Sequence, residues 1–284
     1  MLKIGLSTCG FELTQKNFED LAKSGIEAVE ISMKADKYPA IDYAAVKRFA
    51  DAAGVKLWSY HLPFSPFTQI DPSSLDKEIR AYTVDYFSEL IKKGSAIGID
   101  TFVVHASGEP IEESERAEHL KYSRESMVVL AEIADRCGAR IAVEDLPRTC
   151  LGHTSEEILA LVEADDRLRV CFDTNHLLME DNVHFLRAVA DKLVTVHVSD
   201  YDFINERHWL PGEGKVNWNE LYNTFVECGY NGVWMYEISL QAPGTILRDH
   251  DLTFDDFVRN ANCIFAGNTP APVGKPKENL GMWG

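Results

Sequence analysis

Six β-like runs of this chain close on a side chain able to hold a metal ion. They are Ser59-Tyr60-His61, Val103-Val104-His105, Ala142-Val143-Glu144, Cys171-Phe172-Asp173, Val196-His197 and Met235-Tyr236-Glu237. The 170–176 stretch also delivers His176, an imidazole just where the strand must turn into a loop. In parallel α/β folds ligands collect at the carboxyl ends of the strands. Glu144, Asp173, His197 and Glu237 end four consecutive strand-like runs, so three carboxylates and an imidazole would converge. Such a set repels itself without a cation and suits a divalent ion: Mn²⁺, Mg²⁺, Co²⁺ or Zn²⁺. A lone inward Glu or His is ordinarily a hydrogen-bonded structural group; four at equivalent positions are hard to explain that way.

The elements that must position these groups alternate from end to end. Strand-like runs fall at 4–7, 28–31, 55–60, 102–104, 141–144, 168–173, 193–198 and 233–237. Helix-like segments fall between them at 18–23, 43–53, 75–97, 116–136 and 183–190, and a last one at 254–265. Thr14 reads as an N-cap, and Gly25, Gly54, Gly98, Gly138 and Gly229 fall at or near helix ends. Thr154 with Glu157 and Asn217 with Glu220 have capping-box spacing and open two further helices. Eight βα units without a break in composition predict one (β/α)8 barrel over 1–266, followed by a Pro/Gly-rich extension at 267–284 that is surface-lying or disordered.

Strand residues alternate between faces. On the seventh run, Val194, Val196 and Val198 are expected to face the helices, and Thr195, His197 and Ser199 the interior. Counting back by two from the polar ends gives Ser59, Val103, Ala142, Cys171, Thr195 and Met235, compact groups suited to a barrel interior. All the polar ends then meet at one mouth.

A formal net charge of −17 argues against a nucleic-acid partner, because such proteins neutralise phosphates with clustered Lys and Arg. A small, neutral or lightly charged molecule is expected instead. No stretch is long enough to span a membrane and no targeting signal opens the chain. Six scattered cysteines without a Cys-x-x-Cys pair suggest reduced thiols in a cytoplasmic protein. Homo-oligomerisation is left open.

Five segments carry a family resemblance: Ile-Ala-Val-Glu ending at Glu144, Phe-Asp-Thr-Asn-His holding Asp173 and His176, Val-His-Val-Ser-Asp holding His197, the run from Arg207 to Gly214, and Tyr-Glu at Glu237. Together they resemble the xylose-isomerase-like TIM barrels, which include sugar and sugar-phosphate isomerases and epimerases, inosose dehydratases and zinc-dependent apurinic endonucleases. The resemblance implies that Glu144, Asp173, His197 and Glu237 bind one catalytic metal and that Glu144 and Glu237 also move the proton. It implies that His176 and Arg207 contact substrate oxygens, with His61, His105 and His208 beside them. The implied reaction is proton transfer through an enediolate on a metal-chelated ketose or polyol. Other branches imply a dehydratase-like lyase, or a phosphodiester hydrolase with extra metal held by His61, His105, His176, Glu206 and His208. In that branch Glu206 replaces the usual aspartate. A non-catalytic sugar-binding protein is the remaining alternative, against which the intact carboxylates argue.

Some singled-out residues have plainer readings. Glu30 could touch substrate or form a salt bridge inside the mouth. Trp58, Phe64 and Phe67 could wall a sugar face or pack the core. His119, His153, His184 and His250 are read as solvated or structural.

Overall fold

The computed structural model describes residues 2–282. Eight strands run parallel: β1 Lys3–Ser7, β2 Ala28–Ile31, β3 Lys56–His61, β4 Thr101–His105, β5 Arg140–Glu144, β6 Arg169–Asp173, β7 Leu193–His197 and β8 Val233–Tyr236. Each pairs with its sequence neighbours, and β1 also pairs with β8. Between β7 and β8 a single bridge, Val198 to Tyr236, completes the ring. Val198 N–H donates to the Met235 carbonyl at 2.8 Å and Glu237 N–H to the Val198 carbonyl at 3.3 Å. The helices are α1 Gln15–Ser24, α2 Tyr43–Ala53, α3 Lys77–Ala96, α4 Arg116–Arg136, α5 Ser155–Val162, α6 Asn182–Val189, α7 Trp218–Glu227 and α8 Phe254–Phe265. This is the expected (β/α)8 barrel. Among the described residues no helix is long and apolar enough to cross a membrane.

Local chemistry sets the helix ends. Thr14 accepts the Asn17 N–H at 3.2 Å, and Gly25 closes α1 at φ 97°, in the left-handed region that a Cβ disfavours. The two boxes expected from spacing form only halfway. Thr154 and Asn217 do accept the N–H of Glu157 and Glu220. The return arms go elsewhere: Glu157 takes a bidentate ion pair from Arg116, and Glu220 accepts from the Asn217 side chain. A nearby guanidinium or amide competes successfully with a main-chain N–H, so spacing alone does not settle the second bond. A reciprocal box does form at α8, between Thr253 and Asp256.

The alternation holds with two exceptions, both bulges. Between β6 and β7 the register passes from Val170↔Leu193 to Cys171↔Thr195, which leaves Val194 as an extra residue. Val194 therefore packs inside, against Val103, Ala142 and Cys171, and not outward as strict alternation predicts. Between β2 and β3 Trp58 is the extra residue in the same way. It packs on Ala28, Val233 and Met235 and donates Nε1–H to Thr195 Oγ1 across the barrel at 3.0 Å. Trp58 thus belongs to the packed floor of the interior. On β1 the inward position is Gly5, where a Cβ would meet Val233 Cγ1 at 2.4 Å.

Outward residues such as Phe102, Val143, Phe172, Val196 and Trp234 are buried against the helices in one continuous core. Truncating a buried aromatic such as Phe102 or Trp234 to Ala costs about 3–5 kcal/mol. The 267–282 segment runs along the loops after β7 and β8. Within it β10 (Lys275–Pro276) pairs antiparallel with β9 (Ile246–Leu247).

Candidate active site

Glu144 is the hub of the mouth and has no exposed surface. Its Oε2 lies 3.1 Å from His61 Nε2 and 3.1 Å from His105 Nε2, and its Oε1 lies 2.8 Å from His197 Nδ1. His197 Nδ1 also faces Glu237 Oε2 at 3.6 Å and Asp173 Oδ2 at 3.9 Å. Ligand atoms of Glu144, Asp173, His197 and Glu237 lie within 4.8 Å of one another. The four strand ends expected to converge therefore do so.

The imidazoles are oriented by their second nitrogen. His61, His176 and His208 place Nδ1 at 2.8, 2.8 and 3.1 Å from the main-chain carbonyls of Leu62, Asp145 and Glu237. A carbonyl can only accept, so each Nδ1 carries the proton. In the neutral ring this leaves Nε2 with a lone pair. For His61 and His176 that nitrogen faces carboxylates: Glu144 for the first, Glu206 at 3.3 Å and Asp173 at 3.6 Å for the second. His197 is held between Glu144 and Glu30, whose carboxylate sits 3.0 Å from Nε2 and accepts from Ser59 Oγ at 2.7 Å. Lone pair against carboxylate is repulsive. Each pair needs either a second proton on the ring or a shared cation.

Titration follows from that crowding. Burial opposes charge on His61, but Glu144, joined by Glu30 and Glu237, outweighs it and raises the imidazole to about 9. His197 is likewise held well above the ordinary range, against burial, by Glu30, Glu237 and Glu144 among its neighbours. Burial opposes ionisation of Glu144, yet the surrounding imidazoles hold it well below the usual carboxylate range. Glu237 is pushed up to about 7 by burial, with Glu144 and Asp173 adding to the rise and His197 opposing it. Asp173 Oδ2 is buried without a hydrogen-bond partner, although Oδ1 accepts the Asn175 N–H at 2.7 Å. An orphaned carboxylate oxygen among two glutamates and an imidazole fits a divalent cation, and Glu30 fits the outer carboxylate that orients a ligating histidine.

A second group forms at the rim, where His176, Glu206 and His208 offer atoms within 4.8 Å of one another. Glu206 is held well below its ordinary value by His176, His208 and Arg148, against burial. Arg207, expected to face substrate, is buried and largely committed: Nε donates to Asp202 at 2.9 Å and Nη2 to the Gly281 carbonyl at 2.7 Å. Its backbone N–H is held by Asn175 Oδ1 at 2.8 Å, which also accepts the His208 N–H at 3.3 Å. Sequence reasoning missed Asp145, Asn175, Asp202 and Arg148. The first two sit inside or beside the Glu144 and Asp173 motifs, which was a usable signal. The last two are loop residues: Asp202 is held by Ile204, Asn205 and Arg207 close by in sequence, and Arg148 by Glu109 and Asn205, 39 and 57 residues away. His119 and His153 are structural, bonded to Ser73 and to Arg148 and Arg116.

The chain resembles proteins of known and unknown activity. It is 27% identical over 246 residues to an uncharacterized protein of Methanocaldococcus jannaschii, covering 82% of each. It is 26% identical over 241 residues to a D-psicose 3-epimerase of Ruminiclostridium cellulolyticum, covering 80% of this chain and 79% of that one. The crystal structure of a D-tagatose 3-epimerase-like protein superposes with a TM-score of 0.77 at 22% identity, over 94% of this chain and 97% of the other, which speaks to the fold. Sugar epimerases thus recur among the relatives and the structural neighbours. A family model described as xylose isomerase-like TIM barrel matches residues 18–252, and the chain belongs to that family.

Proposed function

We propose that this chain is a divalent-metal-dependent sugar epimerase or isomerase in which Glu144 and Glu237 transfer the proton. The observation that carries the reading is the meeting of Glu144, Asp173, His197 and Glu237 at one buried point, with Asp173 Oδ2 left without a hydrogen-bond partner. Those four residues would hold the ion, which when bound supplies polarisation of a carbonyl and its neighbouring hydroxyl and so acidifies the adjacent C–H.

The protein's part is positioning and proton transfer. Glu144 and Glu237 enter from β5 and β8, so one carboxylate takes the proton from carbon and the other returns it. His61 and His105, both on Glu144, fix the orientation of that carboxylate. His176 and His208 approach from the other side of the mouth and are placed to contact substrate oxygens. The D-psicose 3-epimerase among the relatives supports a ketose as the reacting class.

The test is incubation of the metal-loaded protein with ketoses in D₂O, watching for C–H to C–D exchange next to the carbonyl. Exchange that depends on the metal and on both glutamates is expected. No exchange with any ketose would overturn the reading.

A second reading, a multi-metal phosphodiester hydrolase, is favoured by the additional groups His61/His105/Glu144 and His176/Glu206/His208. Against it stand the charge of −17 and the engagement of Glu206 with Arg148 at 3.1 Å. Cleavage of an abasic-site oligonucleotide without sugar exchange would select it.

A further inference from the structure

The mouth is larger than the reacting part of a sugar, and its outer half has a chemistry of its own. Its cavity measures about 820 Å³. A free hexose, about a dozen non-hydrogen atoms at the packing density of protein interiors, fills on the order of 200 Å³. The remainder is walled on one side by the β3–α3 loop. Phe64 stacks on His105 with ring centroids 4.5 Å apart and 17° between planes, yet stays 40% exposed. Phe67 lies over Gly108, where a Cβ would come within 2.9 Å of its Cβ and Cγ. Leu146, Pro147 and Pro243 also line the cavity.

The same cavity offers little to a phosphate. Arg148 is closed off: Nε and Nη2 donate to Glu109 at 2.9 and 2.6 Å, and Nη1 donates to Asn205 at 2.8 Å with Glu206 at 3.1 Å. Arg207 is spent on Asp202 and Gly281. Lys34, exposed at the rim, is the one lining cation without an ion pair among the described residues. Barrels of this kind commonly seat phosphate on loop amides and a helix N-terminus after the seventh and eighth strands. Here those donors already face carboxylates of the chain. Asp200 accepts the N–H of Gly212 at 2.8 Å and of Val216 at 3.1 Å, and Glu213 accepts that of Leu210 at 2.8 Å. Asp256 caps α8 through Thr253, with Asp255 beside it in the first turn.

We infer, resting on the epimerase or isomerase reading, that the substrate is an unphosphorylated sugar bearing an uncharged apolar substituent away from the reacting carbons, seated on the Phe64–Phe67 wall. A phosphate dianion in its place would exchange its water for at most one cation, the exposed Lys34, and it would face Glu109, Glu206 and Asp36. An aromatic or alkyl group would cover exposed Phe64 and exclude water from the centre below.

Three probes separate the possibilities: a ketohexose, its 6-phosphate and its 6-O-benzyl ether. Binding to the metal-loaded protein is measured by calorimetry and turnover by exchange in D₂O. The benzyl ether is expected to bind on the order of tenfold more tightly than the parent ketose, and the phosphate on the order of tenfold more weakly. Phe67→Ala should cut the benzyl-to-parent ratio at least about threefold. Equal or tighter binding of the phosphate, or a benzyl ether no tighter than its parent, overturns the inference. The reaction is tested separately. The expected ranking without exchange supports this substrate class and sinks the epimerase, whereas exchange that is fastest on the phosphate does the reverse.

Discussion

The buried centre and the rim above it are both built from carboxylates and imidazoles, but they are held in different ways. At the centre Glu144, Asp173 and His197 are the last residues of β5, β6 and β7, Glu237 follows β8 directly, and Glu30 stands in β2. Ladder bonds fix their backbones, so side-chain positions follow from register. At the rim Glu206, Arg207 and His208 sit on a loop with no ladder. Their places come from Asn175, Asp202, Arg148 and the carbonyls of Gly281 and Met282. His208 even adopts φ 50°, uncommon outside glycine and tolerated where the surroundings over-determine the backbone. The centre is thus preorganised by the fold, and the rim by a side-chain network that could be loosened without disturbing the barrel.

The largest effects should come from the centre. Glu144→Gln and Glu237→Gln should each lower sugar C–H exchange by roughly 10²–10⁴-fold, the range of a lost general acid or base. Glu144→Gln should do more. It places an amide donor or a weaker acceptor against three imidazoles and disturbs His61, His105 and His197 together. Thermal melts should show both variants folded; exchange within a factor of about two of the parent would remove Glu144 and Glu237 from the chemistry.

Glu30→Gln comes next. It touches no expected ligand except through His197, so its effect runs through the ring's orientation and basicity. A loss of roughly 10–100-fold in metal affinity is expected by calorimetric titration. Unchanged affinity would mean that the His197–Glu30 pair is merely a satisfied buried ion pair.

Proton linkage offers a third probe of the centre. With metal chelated away, His61 titrates near 9 in the folded chain against 6.5 when exposed. Its folded pKa is raised, so the stability it contributes is fully present below about 6.5 and is lost as pH rises through about 9. Glu237, raised from 4.5 to about 7, acts in the same direction at lower pH. Melts in chelator should therefore drop with rising pH, by about 5 °C across the histidine window. Saturating Mn²⁺, Co²⁺ or Zn²⁺ should flatten the slope, because the cation takes the place of the protons. A slope that is the same with and without metal would break the link between the protonated imidazoles and the metal site.

The same contrast governs how much could be read from sequence. The barrel and the centre were legible because strand periodicity carries side-chain direction: once each β-like run is placed, its terminal residue must point into the mouth. The failure lies where a single inserted residue resets that direction, as at Val194, since a bulge leaves no compositional mark. The rim was legible only as a motif. Arg207 was expected on substrate oxygens, but its partner Gly281 lies 74 residues away and is joined through a main-chain carbonyl, which no side-chain pattern announces. Arg148 and Asn205 escaped notice for the same reason, being defined by each other across 57 residues.

The smallest effect should come from the link between the rim and the 267–282 segment, and it bears most directly on whether rim and centre are separable. A chain stopped after Glu278 keeps β10, paired with β9, but loses the Gly281 and Met282 carbonyls that Arg207 and Asn205 use. Arg207 keeps Asp202, and Asn205 keeps Arg148, so the loop should loosen without unfolding. We expect KM to rise by about three- to tenfold, with kcat within about twofold and metal affinity unchanged, as for lost ground-state positioning. Amide exchange should quicken across 202–208 while β5 to β7 stay protected. Arg207→Met should reproduce the KM effect in the full chain, and Arg207→Lys should restore only part of it, because lysine cannot span both acceptors with a planar fork. If metal affinity instead falls as far as in Glu30→Gln, the loop and the strand ends form one cooperative unit. The rim would then be part of the metal site rather than a layer above it.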